Sequence, residues 1–149
     1  MPRGSAAHNA KMCRAAGAFV RSAGAAGGLA GGLAALGATL VPGFDLVADE
    51  LGLHDALDDA DLVITGEGRL DAQSFDGKVV GGVAALAAER GVPVAVITGV
   101  ADADVAGRLP TWSLVDLYGD TRALAEPQWC VQAAAGHALA EFVSRPWSS

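Results

Sequence analysis

The chain has 149 residues, of which 52% are hydrophobic and only 5% aromatic, and its formal net charge is −7. That length suits one domain or one and a fraction, with a core made of Ala, Val and Leu. The acidic balance without a basic stripe argues against nucleic-acid binding and against anionic membrane surfaces, and no membrane span is expected.

Taken in chain order, residues 6–21, AAHNAKMCRAAGAFVR, read as a helix of good helix formers. The glycine-rich stretch Gly24 to Ala38 follows, and its Leu29, Leu33 and Leu36 keep a helical spacing. Glycine pairs weaken an isolated helix, so such a segment makes sense where a backbone or ligand comes close. Thr39 to Val41 read as a short extended piece, broken by Pro42 and Gly43. A helix with Phe44, Leu46, Val47 and Leu51 on one side comes next, then a helical turn in HDALDDA.

From Asp61 the pattern changes. DLVIT is an apolar, β-branched run suited to a buried parallel strand. A polar loop is expected over Gly66 to Lys78, then a helix over Val79 to Gly91 with the glycine at its C-terminal cap. VPVAVITGV reads as a second buried strand. Strand, loop, helix, strand is a βαβ unit, so the two strands are expected to be parallel. WSLVDLY reads as a third strand, and an amphipathic helix with Val131, Ala134, Leu139, Phe142 and Val143 closes the chain over about Pro127 to Ser144. The predicted class is α/β, a Rossmann-like parallel sheet with flanking helices.

Ligands of such sheets bind beyond the carboxyl ends of the strands. The loop after DLVIT leaves one such end, and Thr98 to Ala103 leaves the other, so both belong to one rim. Gly66 and Gly68 let the backbone turn sharply. Arg69 and Lys78 can hold a carboxylate or phosphate. Lys78 also stands at a helix N-terminus, where free N–H groups favour an anion. Glu67, Asp71 and Asp76 can bind a divalent cation, take a proton or orient Arg69, and Gln73 and Ser74 can bond hydroxyls. Anion clamps, a metal holder and a base are the parts of phosphoryl transfer, but a solvated loop network would use the same residue types.

Other motifs carry less. Gly77-Lys78 is followed by Val79, so the loop is not a Walker A, and Gly24 to Gly32 lacks a dinucleotide fingerprint. His8, His54 and His137 stand alone, and Asp58, Asp59 and Asp61 read as a solvated turn. Asp102 and Asp104 follow a strand end and are further candidates for the site. Cys13 and Cys130 read as free thiols of a reducing compartment, and Trp112, Trp129 and Trp147 as packing residues. No signal peptide is evident, so a cytoplasmic location is expected.

The segment DADLVITGEGRLDAQSFDGKVVGGVAALAAERGVPVAVITG, Asp59 to Gly99, closely resembles the bacterial glycerate kinases. GAAGGLAGGLAALGATLVPGFDLV resembles their glycine-rich segment, and WSLVDLYGDTRALAEP with the final helix resembles their C-terminus. The resemblance runs from about Ala23 to Arg145. It implies ATP-dependent, Mg²⁺-assisted phosphorylation of D-glycerate, in a cleft between two α/β domains. It also implies that residues 1–52 are the helical remnant of an inserted domain and 53–149 part of a Rossmann-like domain. Carried over by position, Glu67, Arg69, Asp71 and Lys78 are the catalytic candidates. Gly66, Gly68, Gln73 and Ser74 are the substrate-binding ones, and the metal ligands stay unassigned. Family members are more than twice this long, and the resemblance implies that the parts absent here supply substrate and nucleotide contacts. A missing strand would leave sheet edges exposed, so a homodimer or a separately encoded N-terminal part is the expected partner. The alternative reading is a non-catalytic fragment or subunit that binds a ligand or partner.

Overall fold

The computed structural model describes residues 29–39 and 41–144. The helix expected over 6–21, with His8 and Cys13, lies outside them, as does Trp147. The chain separates into two compact units, residues 1–41 and 42–149.

In the first unit α1, Leu29–Ala35, occupies the middle of the glycine-rich stretch. Gly37, at φ +92°, ends it: the Ala38 N–H donates to the Leu33 carbonyl and the Gly37 N–H to the Ala34 carbonyl. That is a Schellman closure, which a residue with a Cβ adopts poorly. Thr39 and Val41, expected to be extended, belong to no strand.

The second unit is α/β. Two short helices, α2 (Gly43–Glu50) and α3 (Leu53–Asp58), lead into β1, Val63–Leu70. A 3₁₀ turn at Ala72–Phe75 and helix α4, Val79–Glu89, connect it to β2, Val94–Ala101. Then come β3 (Thr111–Ser113), α5 (Leu114–Tyr118), α6 (Asp120–Ala125) and the long α7 (Pro127–Ser144). The sheet is parallel in the order β1-β2-β3, with Val63 opposite Val94 and Val96 opposite Thr111. The βαβ expectation is met, and α4 ends as its sequence predicts. Gly91 takes φ +69°, and the Val92 N–H returns to the Ala87 carbonyl.

Central β2 is buried from Val94 to Thr98. One core gathers Leu57, Leu70, Val80, Ala87, Val94, Val96 and Val105; a second gathers Ile97, Leu114, Ala123, Cys130 and Ala134.

The boundaries differ from expectation in three places. The first strand does not stop at Thr65 but continues through Gly66–Leu70, so half of the expected loop is strand. Glycine permits this: a Cβ on Gly66 would strike the Ile97 carbonyl oxygen, and one on Gly99 would lie 2.5 Å from the Gly68 carbonyl oxygen. The third strand is only Thr111–Ser113, because the Ser113 hydroxyl accepts from the Asp116 N–H at 3.3 Å and starts α5. In α7 the buried stripe is Cys130, Ala134 and Ala138, while Val131, Leu139 and Val143 are exposed. Small residues let the helix lie close to its neighbours, and the larger ones are left outside. The same holds in α2, where Ala48 is buried and Leu46, Val47 and the C-cap Leu51 are exposed.

Candidate functional site

Strands β1 and β2 are in register to their ends, with Arg69 opposite Val100 and Leu70 opposite Ala101. The Asp102 N–H donates to the Leu70 carbonyl at 2.9 Å, so the two exit loops leave the sheet together. Above that bond, the Arg69 guanidinium donates from Nη2 to Asp102 Oδ1 at 2.7 Å. The pair fixes Arg69 at the carboxyl rim while much of its side chain stays open to solvent.

Asp71 starts the 3₁₀ turn. Its Oδ1 accepts from the Gln73 N–H (2.8 Å), the Ser74 N–H (3.1 Å) and the Ser74 hydroxyl (3.3 Å). In return Ser74 Oγ accepts from the Asp71 N–H at 3.0 Å, a capping box closed around a fully buried serine. Asp71 Oδ2 takes no part in it. Gln73 and Asp76 are exposed.

Gly77, at φ +76°, turns the chain into Lys78, the N-cap of α4. Lys78 is exposed and makes no side-chain cap bond, so the N–H groups of the first turn keep their capacity for an anion. Gly81 fixes where that helix starts: a Cβ there would lie 2.7 Å from Phe75 Cα and 2.8 Å from the Ser74 carbonyl oxygen.

Glu67 and Gly66 line a cavity of about 590 Å³ together with Gly77 and Lys78, its remaining walls coming from α2, α3 and the start of α4. Glu67 Oε1 is buried without a hydrogen-bond partner. Gly68 is exposed and has open space around its Cα.

Thus Arg69, Asp71 and Ser74 gather at the strand ends, and Gly66, Glu67 and Lys78 share a cavity. The Thr98 hydroxyl is buried and donates to the Val100 carbonyl at 2.9 Å. The direct partner of Arg69 is Asp102, which the loop motif alone does not single out. The signal was in the equal strand lengths, which bring residues 70 and 101 to the same level. His54, isolated in sequence, is bracketed in space: Nε2 lies 3.2 Å from Asp49 Oδ1, and Nδ1 lies 3.1 Å from Arg90 Nη2. Arg90 also binds Asp58 Oδ1 through Nε at 2.8 Å. Trp129 packs, edge-on to Tyr118 and under the Arg122 guanidinium. Among the described residues no three His, Cys, Asp or Glu side chains gather as a metal cage, and no helix is long and apolar enough to cross a membrane.

The model of the glycerate kinase family matches residues 5–139. A glycerate kinase of Halalkalibacterium halodurans is 52% identical over 83 residues, 55% of this chain and 22% of that protein. A glycerate 2-kinase of Escherichia coli is 48% identical over 87 residues, 58% of this chain and 23% of that protein. An uncharacterised Mycobacterium bovis protein is 41% identical over 105 residues, 67% of this chain and 28% of that protein. The chain therefore spans between a fifth and three tenths of the length of these relatives. No solved structure matches.

Proposed function

The chain belongs to the glycerate kinase family, and on that premise we propose that it is a cytoplasmic glycerate kinase-type phosphotransferase using ATP and Mg²⁺. The family match carries this reading, because it runs through every position of the strand-end cluster. A hydroxyl oxygen of D-glycerate attacks the γ-phosphorus of ATP, the bond to the β–γ bridging oxygen breaks, and ADP leaves. Arg69, aimed by Asp102, holds the glycerate carboxylate. Lys78 and the free N–H groups of α4 hold the phosphates. Asp71, anchored through Oδ1, has Oδ2 to offer either to the hydroxyl proton or to a metal. Mg²⁺ neutralises phosphate charge and is usually held by one or two carboxylates plus the phosphates themselves, a demand that a single free oxygen can meet. Ser74 and Gln73 belong to the turn that presents Asp71, Gly66 lines the cavity that Lys78 borders, and Gly68 leaves open space on the strand.

An ADP-release assay with D-glycerate, ATP and Mg²⁺ tests the reading, with the chain alone and with the family's N-terminal portion added. Glycerate-dependent turnover in either setting is expected; none in both sinks the kinase reading. The second reading is a non-catalytic fragment or subunit that binds a ligand or partner, and the edge of the sheet favours it. On that reading the open edge of β1, which pairs only with β2 among the described residues, receives a second copy or the separately encoded N-terminal part. Light scattering of the chain alone and of the mixture separates these partners.

A further inference from the structure

We infer that the cavity beside Glu67 is the pocket for the nucleobase of the phosphoryl donor, an amino-bearing purine. This rests on the kinase reading and assigns a subsite within it. The cavity of about 590 Å³ lies in the range of small-molecule pockets, about 300–1,000 Å³. Its walls are apolar: Phe44 and Val47 of α2, Leu51 just after it, Ala56 of α3, and Val79 and Val83 of α4. Phe44 supplies an aromatic surface, held where it is because Gly82 has no Cβ to meet its ring. Val47, Leu51 and Val79 are more than half exposed, an apolar wall open to water.

The chemistry of the reactants decides what such a wall can take. Glycerate is a three-carbon hydroxy acid with no apolar part, and the phosphates and ribose are polar. Only the nucleobase presents flat apolar faces. The phosphate-holding elements also stand at one margin of this cavity, since Gly77 and Lys78 line it. A base lodged against Phe44 and Val83 would therefore leave its phosphates near the N-terminus of α4. On the same wall Glu67 Oε1 is buried and lacks a donor. A carboxylate oxygen in that state is costly. An exocyclic amino group is the donor that would satisfy it once the carboxylate turns toward the cavity. Glu67 is thereby a specificity-determining residue, and Asp71 is left as the carboxylate at the reacting end.

The test is an amide-resolved NMR titration of the whole chain with adenosine, which carries the base without phosphates. Saturable shifts at Phe44, Val47 and Val83 are expected, with purine riboside, which lacks the amino group, binding about tenfold more weakly. Glu67→Leu should abolish that tenfold preference. Ala56→Trp, at an exposed helix position on the cavity wall, should weaken adenosine at least tenfold while inorganic tripolyphosphate still shifts Lys78. Val47→Trp is a second filling variant should the first disturb the spectrum elsewhere. No adenosine binding, shifts away from the cavity, or binding indifferent to both filling variants overturns the assignment. Turnover of ATP with any of those results removes the subsite and leaves the kinase reading standing. Adenosine in the cavity without glycerate-dependent ADP release does the reverse.

Discussion

Arg69 and Asp102 close adjacent parallel strands and bind each other at 2.7 Å across the carboxyl rim of the sheet. An exposed pair of this kind adds only about 0.2–1 kcal/mol to stability. Its use is orientation: one guanidinium face is committed to Asp102, which holds the remaining N–H groups toward the rim. Asp102→Ala should raise KM for D-glycerate about three- to tenfold with kcat little changed, a split that orientation by a neighbour produces. Asp102→Glu should recover part of the loss. Unfolding in urea should move by less than about 1 kcal/mol. An unchanged KM would reduce the pair to a surface contact.

Arg69→Ala and Lys78→Ala should each lower glycerate-dependent kcat/KM at least tenfold, about 1.4 kcal/mol of transition-state stabilisation. Both side chains are exposed and pack against no core, so circular dichroism and the urea midpoint should hardly change. Normal kinetics in either variant would remove that residue from the site.

The turn carrying Asp71 should be thermodynamically fragile. Asp71→Ala removes the acceptor of three donors and should cost about 0.5–2 kcal/mol in a denaturant titration. Ser74→Ala should cost about 1–3 kcal/mol, since it leaves the part-buried Asp71 N–H without its acceptor. A stability loss for Ser74→Ala no larger than that for an exposed serine, within about 0.5 kcal/mol, would contradict the closed box.

Two glycines flanking Glu67 should behave oppositely. Gly66→Ala drives a methyl group into the Ile97 carbonyl and should destabilise by at least about 1–3 kcal/mol. Gly68→Ala meets nothing within 4 Å and should stay within about 0.5 kcal/mol of the parent. Thermal melts of the two variants side by side check the ordering, and equal shifts would refute it.

The parallel α/β unit was legible from residue types. β-branched runs ended at glycines, and a helix-forming segment lay between them with its own cap signal at Gly91. What escaped was decided by contacts distant in sequence. Glu67 and Arg69 look like loop residues, because nothing local reveals that the glycines beside them let a polar segment pair with β2. WSLVDLY has strand composition, and the hydroxyl of Ser113 overrides it with a helix start. In α7 the apolar positions legible in the sequence include buried Ala134 but not Cys130 or Ala138, because the close approach that buries these small residues is a property of the packed pair. The motif residues were visible as a group, but their division between the rim and the cavity depends on the direction of each side chain from β1.

The order β1-β2-β3, parallel throughout, also dictates how the unit assembles in time. No tight hairpin can join these strands, since each pairing waits for a complete crossover, α4 in one case and the Asp102–Pro110 segment in the other. β2 belongs to both pairings and has no local partner with which to begin. Chain closure over the whole of α4 therefore precedes any reward from the sheet, which places this unit among slow folders for its size. Until β2 docks, Arg69 and Asp102 have no common rim on which to meet, so the site is among the last things the chain acquires.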